Sequence, residues 1–139
     1  MNIEILENPE QELIAFLDEK IAEYNWQRWE VSERKPLAIR MTDNDGRVIA
    51  GAAGRTFGNW FMLNTLWVDE QYRGKKIGEK LLAEIELAAR NRGCIKCLLD
   101  TLNFQAMPFY QTRGYQTQWV QENYPKTGCK YYMVKSLIE

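Results

Sequence analysis

The chain has 139 residues, 45% of them apolar and 27% charged, which fits a single globular domain over residues 1–139 that buries roughly 68% of its unfolded surface and needs no metal or disulfide staple. Eighteen Lys and Arg against nineteen Asp and Glu give a net charge of −1, so no overall field recruits nucleic acid or an anionic membrane and any polyanion site must be local. No apolar run approaches the roughly 20 residues of a membrane span, and Met1 to Pro9 lacks the pattern of a secretory leader, so a cytoplasmic protein is expected.

Ile3 and Ile5 make a short alternation that predicts a first strand. Asn8-Pro9 then reads as an N-cap and first-turn pair with Gln11 at the capping-box position, and Leu13, Leu17, Ile21 and Tyr24 recur at helical steps. Trp26 to Pro36, rich in aromatic and charged residues, has room for a second short helix. Leu37, Ile39 and Met41 alternate with polar or small neighbours, Asp45-Gly46 is a hairpin turn, and Arg47 to Ala53 should return antiparallel. After Gly58-Asn59, the nearly continuous apolar run Trp60 to Val68 predicts a central strand. A second helix follows Gly78, with Leu81, Leu82, Ile85, Ala88 and Ala89 on one face and Gly93 as its stop. Ile95 to Thr101 reads as a strand covered on both faces, Ala106 to Thr112 as a short helix closed by Gly114, and Tyr115 to Val120 and Tyr131 to Leu137 as two last strands around the loop Pro125 to Gly128. The order predicts a mixed α/β sheet.

Cys94, Cys97 and Cys129 are an odd number of cysteines, which points to reduced, structural thiols. Cys94 and Cys97 should project to opposite faces if they share a regular strand. No second C-x-x-C pair exists and the chain has no histidine, which excludes His-ligated zinc and His-based triads and implies no metal.

The most informative stretch runs from Leu66 through Trp67, Val68, Arg73, Gly74, Lys75, Lys76 and Ile77 to Gly78. A strand enters a glycine-containing basic loop that opens a helix. About four unpaired N–H groups and about half a positive charge at a helix start make an anion site, and a diphosphate suits it. The bland alternative is a solvated helix start. Neither the P-loop pattern nor the dinucleotide fingerprint is present.

Twenty-five residues beyond Gly78 comes Asn103-Phe104-Gln105-Ala106-Met107-Pro108-Phe109-Tyr110-Gln111-Thr112-Arg113-Gly114-Tyr115. Here the sequence resembles the GNAT superfamily of N-acyltransferases, whose acetyl-CoA loop often reads R-G-x-G-x-G and whose later helix often reads N-x-x-A-x-x-F-Y-x-x-x-G-[FY]. Asn103, Ala106, Phe109, Tyr110, Gly114 and Tyr115 match the second motif, and Arg73, Gly74 and Gly78 match the first. Lys76 stands where the family usually has its middle glycine.

The resemblance implies a GNAT-like, mostly antiparallel sheet with a splayed central strand pair and flanking helices, and acetyl-CoA as acyl donor. Backbone groups of Leu66, Trp67 and Val68 would pair with the pantetheine arm, the loop Arg73 to Gly78 would hold the diphosphate, and Asn103 would contact the arm. Asn103 also reads as a plain helix cap. Tyr110 would protonate the departing thiolate, and its alternative is a packed core aromatic. The central-strand stretch where many relatives carry a carboxylate holds Asn64 and Thr65. Asp69, Glu70 and Asp100 are the nearest acids, and a water chain is an equal candidate for the base.

Tyr24, Trp26 and Trp29 follow the first helix where such enzymes line the acceptor pocket, and aromatic faces can hold a cationic amine. Core packing is the alternative. The expected activity is N-acetylation of a primary amine, small molecule or peptide, by direct attack in a ternary complex. The rivals are a CoA-binding sensor or interaction module without turnover, and a nucleic-acid-binding domain, which the near-zero net charge disfavours. Tyr131, Tyr132, Met133 and Val134 either finish the core or seal a homodimer.

Overall fold

Alternation over Leu37–Met41 and the Asp45-Gly46 turn build the first hairpin of the sheet. In the computed structural model, which describes residues 1–31 and 33–138, strand β1 (Lys35–Thr42) pairs antiparallel with β2 (Val48–Phe57). The Asp43 carboxylate accepts hydrogen bonds from the amides of Asp45 and Arg47, and Gly46 takes the positive φ that the turn requires. Strand β3 (Trp60–Val68) returns antiparallel to β2. Helix α2 (Ile77–Asn91), which follows helix α1 (Gln11–Trp26) in the chain, carries it over to β4 (Lys96–Leu102), and β4 lies parallel to β3. Helix α3 (Met107–Gln111), β5 (Gln116–Glu122) and β6 (Cys129–Ser136) complete a six-stranded sheet in the order β1-β2-β3-β4-β6-β5. Every strand pair except β3–β4 is antiparallel, so the sheet is mixed and mostly antiparallel as expected.

The chain falls into two units, residues 1–33 and 34–139. The core of the second unit forms where one face of α2 meets the sheet. Leu82, Ile85 and Ala89 pack with Phe61 and Leu63 of β3, Cys97 and Leu99 of β4, Tyr110, Tyr115 and Met133. Each large aliphatic side chain buried there contributes about 1.5–3 kcal/mol. Glu86 is buried on the same helix, where it accepts from the Tyr115 hydroxyl at 2.7 Å and from Lys135 Nζ at 2.8 Å. Its charge is therefore paired and hydrogen-bonded, as burial demands. Among the described residues no helix is long and apolar enough to cross a membrane.

Several local expectations are corrected. Ile3 and Ile5 form no strand and stand exposed; two alternating apolar residues without a partner strand leave their backbone groups to water. Helix α1 begins at Gln11 with Glu10 as N-cap and no side-chain cap, so Asn8 and Pro9 lie before it. Trp26 to Pro36 holds no second helix among its described residues; Pro36 instead sits in β1, an edge strand, where the missing N–H is tolerated. Ser32, in that stretch, lies outside the described residues. Strand β2 continues past Ala53 because Gly54 marks a close backbone approach rather than an end: a Cβ there would collide with the Met62 carbonyl. Helix α2 starts at Ile77, so Gly78 lies inside its first turn. Strand β4 is covered on one face only, since Cys97, Leu99 and Thr101 are buried while Lys96 and Asp100 are exposed. Cys94 and Cys97 do not point to opposite environments. Cys94 precedes β4, just after Gly93 at φ +94°, so strand alternation does not govern it, and both thiols join the same core.

Candidate functional site

Two features of β3 and β4 open the sheet. Their parallel pairing covers only Trp60↔Lys96 to Leu63↔Leu99. The next residue of β3, Asn64, is the extra residue of a bulge, because Ala53↔Thr65 and Gly54↔Leu63 bracket it. A bulge bends and twists its strand, and the two strands part from this point. Beyond it the edge of β3 from Asn64 to Val68 that faces β4 has no ladder partner, so apart from the Val68 carbonyl, which Arg73 takes, its main-chain groups can pair with an extended ligand. A cavity of about 180 Å³ fills the gap, lined by Asn64, Thr65 and Leu66 of β3, Asp100 and Thr101 of β4, and Gln105, Ala106 and Tyr110.

The α3 segment is set into the mouth of that gap by a local network. Leu102 N donates to Gln105 Oε1 at 2.8 Å, and Ala106 N donates to the Thr101 hydroxyl at 3.3 Å. Tyr110 is thereby seated against Phe109 and Tyr115, with ring centroids at 5.2 and 5.7 Å in edge-on geometry. Burial pushes its hydroxyl up to about 12, and the nearby Cys97 thiol adds to the shift. The group therefore stays protonated at neutral pH and can act as a hydrogen-bond or proton donor.

A second cavity, about 200 Å³, lies where β3 runs into α2, and Val68, Arg73, Gly74, Lys76, Ile77 and Gly78 line it together with Tyr72, Glu79, Phe109 and Arg113. A short 3-10 turn at Glu70–Tyr72, started by the Asp69 carboxylate on Gln71 N, leads into this loop. Arg73 is anchored through Nε to the Val68 carbonyl at 3.0 Å. Gly74 takes φ +81° with open space around it, and Lys76, the N-cap of α2, is left-handed at φ +61°. That conformation costs a side-chain-bearing residue roughly 1–2 kcal/mol. It leads into the first turn of α2, whose amides have no intrahelical acceptor and whose residues Ile77, Gly78 and Glu79 line the cavity. The floor is formed by Val68 and Phe109, which a Cβ on Gly78 would meet at ordinary contact distances of 3.6–3.9 Å.

Most of the sequence-predicted cofactor residues therefore lie on one path, from Leu66 in the splayed gap to the Arg73–Gly78 loop. Trp67 pairs with Gly51 of β2 and its side chain is exposed, while Lys75 holds its ammonium over the Tyr72 ring at 5.5 Å rather than lining the cavity. Asn103 is elsewhere. Its Oδ1 accepts from Cys129 N at 3.1 Å, tying the end of β4 to the start of β6, and it lines a third cavity beside the Tyr124–Gly128 loop. It is not the cap of α3, whose N-cap is Ala106 with no side-chain bond. Tyr24, Trp26 and Trp29 belong to the first unit, where Arg28 stacks over the Tyr24 ring at 3.7 Å and donates to the Tyr24 carbonyl at 2.7 Å.

The sequence reading missed four members of the loop cavity, Tyr72, Glu79, Phe109 and Arg113. Arg113 lies over the Phe109 ring at 4.0 Å and donates to Glu79 Oε2 at 3.0 Å, while its Nε is buried without a hydrogen-bond partner. A spacing of four, from Phe109 on α3 to Arg113 in the turn just after it, brings the two together, which was the available signal. A cationic side chain with an unused buried donor beside free helix amides fits a phosphorylated ligand. The loop cavity, with its basic side chains and helix-start amides, suits an anionic group, and the unpaired edge of β3 suits an extended ligand.

The family model described as Acetyltransferase (GNAT) family matches residues 2–115. Over 115 residues the chain is 32% identical to an acetyltransferase of Agrobacterium fabrum, covering 83% of this chain and 84% of that protein. It is 34% identical over 114 residues to a blasticidin-S acetyltransferase of Streptomyces morookaense, covering 79% and 84%. An acetyltransferase structure from Bacillus cereus superposes with a TM-score of 0.87 at 28% identity, covering 96% of this chain and 97% of that one.

Proposed function

The chain belongs to the acetyltransferase (GNAT) family and is an acetyl-CoA-dependent N-acetyltransferase, and from that premise we propose that residues 1–139 act as one cytoplasmic catalytic domain that acetylates a primary amine of a small molecule or peptide by direct attack in a ternary complex. The observation that carries this reading is the wedge between β3 and β4, with an unpaired strand edge on one side and Tyr110 among the residues lining it.

In this reading Arg73, Gly74, Lys75, Lys76, Ile77 and Gly78 surround the diphosphate of acetyl-CoA, with the first-turn amides of α2 as the main donors. Main-chain groups of Leu66, Trp67 and Val68 hold the pantetheine arm as a further strand, and a backbone N–H of that edge polarises the acetyl carbonyl. Asn103 keeps its side-chain NH2 for the arm, since only its Oδ1 is taken. Tyr110 supplies a proton to sulfur as the thiolate leaves. Cys94 and Cys97 take no part: both are buried, and burial raises both thiols, Cys97 to about 12, which disfavours a nucleophilic thiolate.

The test is a screen with acetyl-CoA against blasticidin S, kanamycin, spermidine and a peptide with a free α-amine, read by product mass because the protein's own thiols would interfere with a thiol-release assay. An acetylated product bearing one new amide supports the reading. Binding of CoA without acetylation of any of the four would identify instead a CoA-binding module on this fold.

A further inference from the structure

The splayed gap contains a carboxylate that no step above uses. On β4, Cys97, Leu99 and Thr101 face the α2 side, where the first two join the core that holds Tyr110. Asp100 alternates to the other face, is exposed, and still lines the same 180 Å³ cavity as Tyr110 because the cavity runs through the parted strands. The two groups therefore reach one space from opposite faces of the sheet. The strand that borders the cavity opposite Asp100 offers only Asn64 and Thr65, neither of them a base. The loop cavity in which the donor's diphosphate is proposed to sit is lined by the end of β3, the first turn of α2, and Phe109 and Arg113.

We propose that Asp100 receives the acceptor's ammonium group and takes its proton, with the amine entering from the sheet face opposite α2. The inference rests on the acetyl-transfer reading above and names the acceptor class at that site, a protonated primary amine whose charge the carboxylate matches. In the step, one proton passes from the ammonium to the Asp100 carboxylate and on to water. The nitrogen lone pair forms the C–N bond to the acetyl carbon, and the C–S bond breaks with its electron pair on sulfur. Tyr110 gives its proton to that sulfur and regains, through water, the second proton lost by nitrogen. Nothing else is consumed.

The same face has room for the rest of the acceptor. Leu102, two residues on and so about 7 Å along β4 on the same side as Asp100, lines a cavity of about 620 Å³ closed by Phe104 and the Tyr124–Gly128 loop. Phe104 is 76% exposed there, an apolar ring available to a ligand. The ionisable groups facing Asp100 are Tyr132, its own cross-strand partner on β6, Lys130 on the same strand and Tyr110 on α3, while β3 brings none. Lys130 is itself drawn over the Tyr124 ring, at 4.3 Å.

The test uses the full chain, Asp100→Asn and Asp100→Glu, and the amine of the four-member screen that turns over fastest. Asp100→Asn should lower kcat/KM about 10²-fold or more at neutral pH, with the defect shrinking as pH approaches the amine's own pKa, where the nitrogen no longer needs a base. Asp100→Glu should recover part of the rate. Away from turnover, calorimetric binding of the amine to the CoA complex should weaken in Asp100→Asn while CoA binding to the protein alone stays within a few-fold. Phe104→Ala should raise KM for the amine and spare CoA binding. An unchanged rate in Asp100→Asn, or a deficit constant across pH, overturns the proposal, the first result in favour of water as the base and the second in favour of a purely positioning carboxylate. A wild-type protein that binds no CoA, or acetylates none of the four amines, overturns the underlying reading and the proposal with it. If Asp100→Asn does not fold, a folded Asp100→Ala with a pH-dependent loss of rate that Asp100→Glu partly restores sustains the proposal, and a folded Asp100→Ala with wild-type kcat/KM overturns it.

Discussion

At the scale of single residues the decisive group is Tyr110, where core packing and chemistry coincide. The sequence offered a buried aromatic or a proton donor as alternatives, but the ring is packed edge-on in the core while its residue also lines the splayed gap. A CoA thiolate is a tolerable leaving group, since a thiol has a pKa near about 8.5, so protonating it helps without being indispensable. Tyr110→Phe keeps the ring and removes only the hydroxyl. It should lower kcat by about 10²-fold or less, the low end of general acid catalysis, and leave acetyl-CoA affinity within a few-fold. Steady-state and single-turnover rates on the amine found in the screen check this: an unchanged chemical step makes Tyr110 a packing residue, and collapsed binding makes it a cofactor contact.

Among the elements, α2 does two jobs from its two ends. Its apolar face builds the core, and its first turn opens the loop cavity. Gly78 separates the two jobs experimentally, because a Cβ there meets Phe109 and Val68 only at ordinary contact distance. Gly78→Ala should fold and keep a CoA-dependent rise in Tm, whereas Gly78→Asp should fold and lose it by setting a negative charge against the diphosphate. For the wild type, CoA at about 100 times its dissociation constant adds roughly 2.7 kcal/mol to stability. A full shift in a folded Gly78→Asp protein would move the diphosphate away from α2. The β3 element teaches the complementary point: its apolar run predicted a strand, but the bulge at Asn64 that frees its edge has no signature in hydrophobic periodicity.

For the whole molecule, the buried polar groups of the core fix its behaviour in alkali. Burial raises Cys97 to about 12 and Tyr110 to about 12, and raises Tyr115 further still, with Glu86 and Cys97 adding to it. In each case the folded protein holds its proton more tightly than the unfolded chain does. Between the unfolded and folded pKa values the unfolded state binds fewer protons, so stability falls as pH rises. The contribution is whole below about pH 8.5, where unfolded thiols begin to ionise, and drains away toward about pH 12. Urea midpoints should therefore drop between about pH 8 and about pH 11, and Cys97→Ala, less stable at neutral pH, should lose less over that interval than wild type. A midpoint that holds steady across the range would mean that these groups ionise without unfolding.

The sequence by itself determined what neighbours along the chain can encode. The Asp45-Gly46 hairpin, the amphipathic α2 with its Gly93 stop, the basic loop into its first turn, and the two motifs that identify the family all depend on residues a few positions apart, where helical or strand periodicity and turn chemistry are local. Tertiary structure alone decided what depends on segments brought together from afar. It tied Asn103 to Cys129 instead of capping α3, put Cys94 and Cys97 into one core, and made Pro36 harmless on an edge strand. It also gave Asp100 and Tyr110 a common cavity, because that cavity exists only where β3 and β4 stop pairing, and the place where two strands part is set by a bulge and by packing on both sides of the sheet rather than by the residues of either strand.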